Sequence, residues 1–198
     1  YISGTLARGR IMGGRMPAFY GVNFADGRIK SYPVSPRNGE KYYLRLVRGN
    51  PEYGKNQFKV QPDGTILDQA SGLLWTRYDS GAPQMQKSLK SAKFKDGRLD
   101  WREALAFCEN LNFAGQADWK LPDAKELQSI VQYERVRADN SAPALAEIFQ
   151  ISSIKNEVGQ SDYPFFWSST THLDGPAPGE FAVYFAFGQA PGFMRPPR

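Results

Sequence analysis

Glycine and proline interrupt this chain so often that long regular elements do not fit between them. Its 198 residues include 19 glycines and 14 prolines, about one residue in six. Turn formers at that density predict short strands and tight turns, hence a loop-rich β or α+β domain rather than a helix bundle. A chain of this length buries roughly 70% of its unfolded surface, so it holds a core without covalent staples. Hydrophobic residues at 41%, with aromatics at 14%, supply that core and exclude a disordered chain.

One cysteine, Cys108, and one histidine, His172, exclude an internal disulfide scaffold and the usual Cys/His zinc sites. No nucleophile elbow, phosphate loop, dinucleotide glycine pattern or metalloprotease motif occurs. No catalytic residue, cofactor or metal is therefore expected. No apolar run reaches the roughly 18 residues of a membrane span. The chain opens on Tyr1 without a charged-then-apolar leader, and is read as a piece of a longer product.

Charge is uneven. Residues 1–60 carry 11 basic and 3 acidic side chains, and residues 61–198 carry 14 and 17. A local cluster follows at Lys87, Lys90, Lys93, Lys95 and Arg98, relieved by Asp96. These five are the candidate ligand-binding residues, suited to a polyanion such as an anionic polysaccharide. A solvated loop that aids solubility is the plainer reading of the same charges. No helix-turn-helix or RNA-stacking motif accompanies them, so nucleic acid is not an expected partner.

Residues 1–17 show no periodicity and read as irregular. Residues 18–24 and 28–32 predict a hairpin around Asp26-Gly27. Tyr42, Leu44 and Leu46 alternate with Tyr43, Arg45 and Val47, which predicts a strand able to pair with residues 58–67. Short strands at 58–60 and 65–67 flank Asp63-Gly64, and residues 72–76 read as a buried strand. Residues 79–98 are a long polar surface excursion. Asp100 with Glu103, and Asp123 with Glu126, are capping boxes that open two helices. On the first, Trp101, Leu105, Cys108 and Leu111 recur at helical spacing, so Cys108 reads as a buried hydrophobe. On the second, Leu127, Ile130 and Val131 form the buried face. A short helix is expected over 143–149, burying Leu145, Ile148 and Phe149. Strands follow at 165–170 and 181–187. A shift of 161 residues aligns Pro17, Val22, Phe24, Ala25 and Gly27 with Pro178, Val183, Phe185, Ala186 and Gly188, a short internal echo.

Several segments, in order, resemble one family. They are Asp63-Gly64-Thr65-Ile66-Leu67-Asp68, Ser71-Gly72-Leu73-Leu74-Trp75, Asp100-Trp101 and Ala106-Phe107-Cys108-Glu109-Asn110-Leu111. Asp118-Trp119-Lys120-Leu121-Pro122, Lys125-Glu126-Leu127, Phe166-Trp167-Ser168-Ser169-Thr170 and Val183-Tyr184-Phe185 with Gly188 continue the series. Over about residues 58–190 the chain resembles the bacterial domain family named after the C-terminal domain of the Legionella collagen-like protein, Lcl. The resemblance implies an α+β, C-type-lectin-like fold: two helices packed on short twisted antiparallel strands. It implies non-catalytic binding or adhesion in surface or secreted proteins, with sulfated glycans bound by the founding protein. Residues 1–50 are then the tail of a similar upstream module, or added edge strands. Residues 58–198 are the domain itself, and the family's closing strand has no counterpart after Arg198. The family cysteine that would partner Cys108 falls on Leu46, so that disulfide is in doubt.

Three other patterns have plain readings. Gln61-Pro62-Asp63 spells a sugar-selecting lectin motif but sits before a strand, where it reads as turn chemistry. Trp75, Trp101, Trp119 and Trp167 read as core residues rather than sugar platforms. Ser168, Ser169 and Thr170 near His172 suggest a hydrolase, but no third triad member can be named. The sequence thus predicts an extracytoplasmic binding module with an anionic polysaccharide or host glycan as partner. The alternative is an assembly module in which residues 42–47 of one copy complete another. A formylglycine-generating-like oxidase shares the general fold but needs cysteines that Cys108 alone does not supply.

Overall fold

The computed structural model describes residues 1–10, 16–24, 29–35, 39, 41–89, 96–135, 142–156, 159–173 and 179–188, without the side chains of 8–10. The chain divides into two compact units, Tyr1–Tyr53 with Gln132–Leu145, and Gly54–Val131 with Ala146–Arg198.

The first unit is built on an antiparallel meander of β1 (Ile2–Arg10), β2 (Met16–Val22) and β3 (Ile29–Pro33). β2 and β3 pair as predicted, with Ala18 facing Pro33 and Val22 facing Ile29. β1 corrects the irregular reading of residues 1–17 over Ile2–Arg10, while residues 11–15 lie outside the described residues. Its partly buried positions are Ser3, Thr5 and Ala7, while Gly4 and Leu6 are exposed. The inner face is small and partly polar, so hydropathy shows no period of two. Ladder bonds hold this strand, pairing Leu6 with Phe19 and Ala7 with Ala18. Phe19, Tyr32 and Tyr42 form a ring cluster with centroids 5.2 to 6.0 Å apart. Tyr20 packs edge-on against Tyr133 at 4.7 Å.

Residues 42–47 are not a strand, and β4 pairs elsewhere. Both alternating sets are rich in apolar groups, so neither defines a water face, and alternation alone does not supply a ladder partner. Ile2 N–H donates to Tyr43 O at 3.2 Å, which ties the start of this segment to β1.

The second unit opens on the meander β4 (Phe58–Val60), β5 (Thr65–Asp68) and β6 (Leu74–Thr76). Gly64 turns the first corner at φ +86°, a conformation that favours glycine. β6 is the expected strand, but as a sheet edge it leaves Leu74 exposed. Three helices follow: α1 (Pro83–Gln86), α2 (Trp101–Glu109) and α3 (Ala124–Ser129). The hairpins β7 (Ile154–Lys155) with β8 (Ser161–Asp162), and β9 (Phe165–Thr171) with β10 (Ala182–Ala186), complete the unit. α2 packs on β9, and α3 packs on both β9 and β10. Ile66, Ala104, Leu111, Leu127, Ile130, Phe149 and Phe187 form the buried core.

The architecture is therefore α+β, short helices with antiparallel sheets. Both capping boxes are complete. Asp100 accepts from Glu103 N–H at 2.8 Å and Glu103 accepts from Asp100 N–H at 2.9 Å. Asp123 and Glu126 exchange the same two bonds at 2.8 Å each. Each cap contributes about 1 kcal/mol. Residues 143–149 are not helical, although Leu145 and Phe149 are buried as expected. The stretch is divided between the two units, which part after Leu145. Among the described residues, no helix is long and apolar enough to cross a membrane.

Candidate functional site

The excursion at residues 79–98 is closed at its base. The Asp79 carboxylate accepts Ser152 N–H at 2.6 Å, Ser152 O–H at 2.7 Å and Gly81 N–H at 3.1 Å. Ser80 Oγ donates to Gly97 O at 2.6 Å. Gly97 sits at φ +90°, and a Cβ there would collide with the Gly81 backbone. Two glycines thus let the ends of the loop meet backbone to backbone. Past this clasp, Trp167 Nε1 donates to Leu99 O at 3.0 Å and Trp101 Nε1 donates to Ser168 O at 2.8 Å. Those bonds bolt the start of α2 to β9. Within the loop, Met85 and Leu89 are buried one helical turn apart. Closed ends and internal anchors hold the described part of this surface stretch, and surface connections of this kind commonly carry function.

Lys87 follows α1 and is exposed. Arg98 is exposed at the far side of the clasp, its Nε 2.7 Å from Asp96 Oδ2. Bonding from the Arg98 backbone N–H, helped by its guanidinium, holds the Asp96 carboxyl below the usual carboxylate range. Arg98 is thereby held against the acid that relieves the cluster. Lys90, Lys93 and Lys95 lie outside the described residues. The structure therefore places two of the five candidates on one clasped loop. Sequence reasoning missed Asp79, Ser80, Gly81, Gly97 and Ser152, which build the base. The available signal was the Met85–Leu89 pair, spaced four apart in a polar stretch with glycine at each end.

Ser168 and Thr170 are engaged in structure. Ser168 is fully buried and its hydroxyl donates to Val183 O at 2.8 Å. Thr170 Oγ accepts from Ala124 N–H at 3.0 Å, at the start of α3. Asp63 of Gln61-Pro62-Asp63 accepts from Thr65 N–H at 3.0 Å and Thr65 O–H at 2.7 Å, the turn chemistry expected. The four tryptophans are half-buried, and Trp119 Nε1 donates to Phe113 O at 3.2 Å. Trp75 packs edge-on against Phe149. Cys108 is half-buried; burial, then Glu109, pushes its thiol up to about 11, so it stays protonated near neutrality.

The Asp68 carboxylate accepts four hydrogen bonds. It accepts from Asn56 Nδ2 at 3.0 Å, Gln57 N–H at 2.8 Å, Ala70 N–H at 3.1 Å and Ser71 Oγ at 2.8 Å. Burial pushes its pKa up, but these bonds outweigh burial and leave it below the ordinary value. This carboxylate locks the β5–β6 corner to the approach of β4.

These features define a small α+β domain with a locked sheet corner, twin capped helices and a clasped basic loop. The chain belongs to the Lcl C-terminal domain family, whose model matches residues 64–194. The match takes in the clasped loop, both capping boxes and the β9–β10 hairpin. No curated protein and no solved structure matches the chain.

Proposed function

We propose that this chain is a non-catalytic binding or adhesion module that recognises an anionic glycan outside the cytoplasm. The observation that carries the reading is the clasped loop at residues 79–98. It joins a rigid base to five cations offset by one acid, Asp96. The closed ends set Lys87 and Arg98 on one fixed base, which lowers the ordering cost of charge contact at those two positions. Family membership supports binding over catalysis by analogy. Lys87, Lys90, Lys93, Lys95 and Arg98 make the electrostatic contact. The test is an array of sulfated and neutral glycans read across salt concentrations. Salt-sensitive retention on sulfated chains is the expected result. Equal retention on neutral chains, or none at all, refutes the reading.

A further inference from the structure

Residues 41–53, in the first unit, leave the ring cluster at Tyr42 and then expose nearly every apolar side chain they carry. Val47 is 98% exposed, Tyr53 90%, Leu46 88% and Tyr43 83%. Lys41, Arg45 and Arg48 interleave with them and are exposed, against Glu52 alone among acids. Arg45 also lies over the Tyr1 ring at 5.6 Å. Contiguous exposed apolar groups of this kind mark a contact surface.

We infer that residues 41–53 form a contact for an anionic phospholipid surface. Charge complementarity selects this occupant. Cations beside the aliphatic side chains sit at the depth of lipid phosphates while Leu46 and Val47 enter the acyl boundary. Tyr43 and Tyr53 carry the amphipathic ring favoured at that level. Symmetric pairing of two copies through this segment would set like charges against each other. A strand docking on a sheet edge would send alternate side chains to opposite faces. Here neighbours of both parities, Tyr43 with Leu44 and Leu46 with Val47, are exposed together, which suits immersion in an interface rather than one docked face. A polyanionic glycan offers no apolar phase for these side chains.

The test is flotation of the whole chain with vesicles of phosphatidylcholine alone or with added phosphatidylglycerol. Co-flotation with the anionic vesicles at low salt is expected. Replacing Leu46→Ser with Val47→Ser should weaken it about tenfold or more. Arg48→Glu should weaken it about fivefold or more. All three positions are exposed, and unchanged circular dichroism establishes that the variants fold. The inference is overturned if the chain does not float, or if the variants float like the parent. It is also overturned if the Leu46 and Val47 changes instead abolish a concentration-dependent dimer in sedimentation. Failure here leaves the glycan reading intact, because that reading rests on residues 79–98.

Discussion

The loop at residues 79–98 and the segment at residues 41–53 are held in opposite ways. The loop is polar and basic, yet its ends are clasped and two of its side chains, Met85 and Leu89, are buried. The segment is rich in apolar groups, yet beyond Tyr42 these lie in water. Local hydropathy ranks them the wrong way round. What decides is whether polar groups and glycines let the backbone close on itself. Asp79, Ser80, Gly81 and Gly97 do this for the loop, whereas residues 44–48 lie in no ladder.

Substitution can break that contrast at its strongest point. Gly97→Ala puts a Cβ into the Gly81 backbone at positive φ, and should cost about 3 kcal/mol or more in thermal melts. A neutral result would mean that the glycines do not close the loop. Met85→Ala removes a buried anchor and should cost about 3 kcal/mol by the same measurement. Asp68→Ala strands four donors and should cost about 2 kcal/mol.

Asp68 also predicts a pH dependence. Its folded pKa is depressed, so its stabilisation is full above the ordinary value of 3.8 and is lost as pH falls through the lower folded value. Melting temperatures below about pH 4 should therefore fall more steeply for the parent than for Asp68→Asn. Parallel curves would show that this carboxylate is not the acid-sensitive lock. At the other end of the scale, Leu46→Ala should change stability by less than about 0.5 kcal/mol. A cost like that of Met85→Ala would end the contrast between the two regions.

Legibility followed the range of the interactions. Both capping boxes were legible because each needs only Asp and Glu three residues apart. The β2–β3 pairing was legible from the strand patterns on either side of Asp26-Gly27, which itself lies outside the described residues. β1 was not, because Ser3, Thr5 and Ala7 leave no hydrophobic period to read. The candidate loop was legible as a basic excursion but not as a clasped one. Asp79 meets Ser152 across 73 residues of sequence, and Trp167 meets Leu99 across 68. No local pattern encodes such partners. The strand expected over 42–47 shows the converse error, since alternation without a ladder partner does not make a strand.

The most direct test of the clasped loop as a binding platform is titration of a sulfated polysaccharide at low and high salt. The comparison is between the parent chain and one with Lys87, Lys90, Lys93, Lys95 and Arg98 all changed to Glu. The parent should bind with an affinity that falls steeply with salt, and the variant should not bind. Equal binding by both chains would contradict the assignment of the site to this loop.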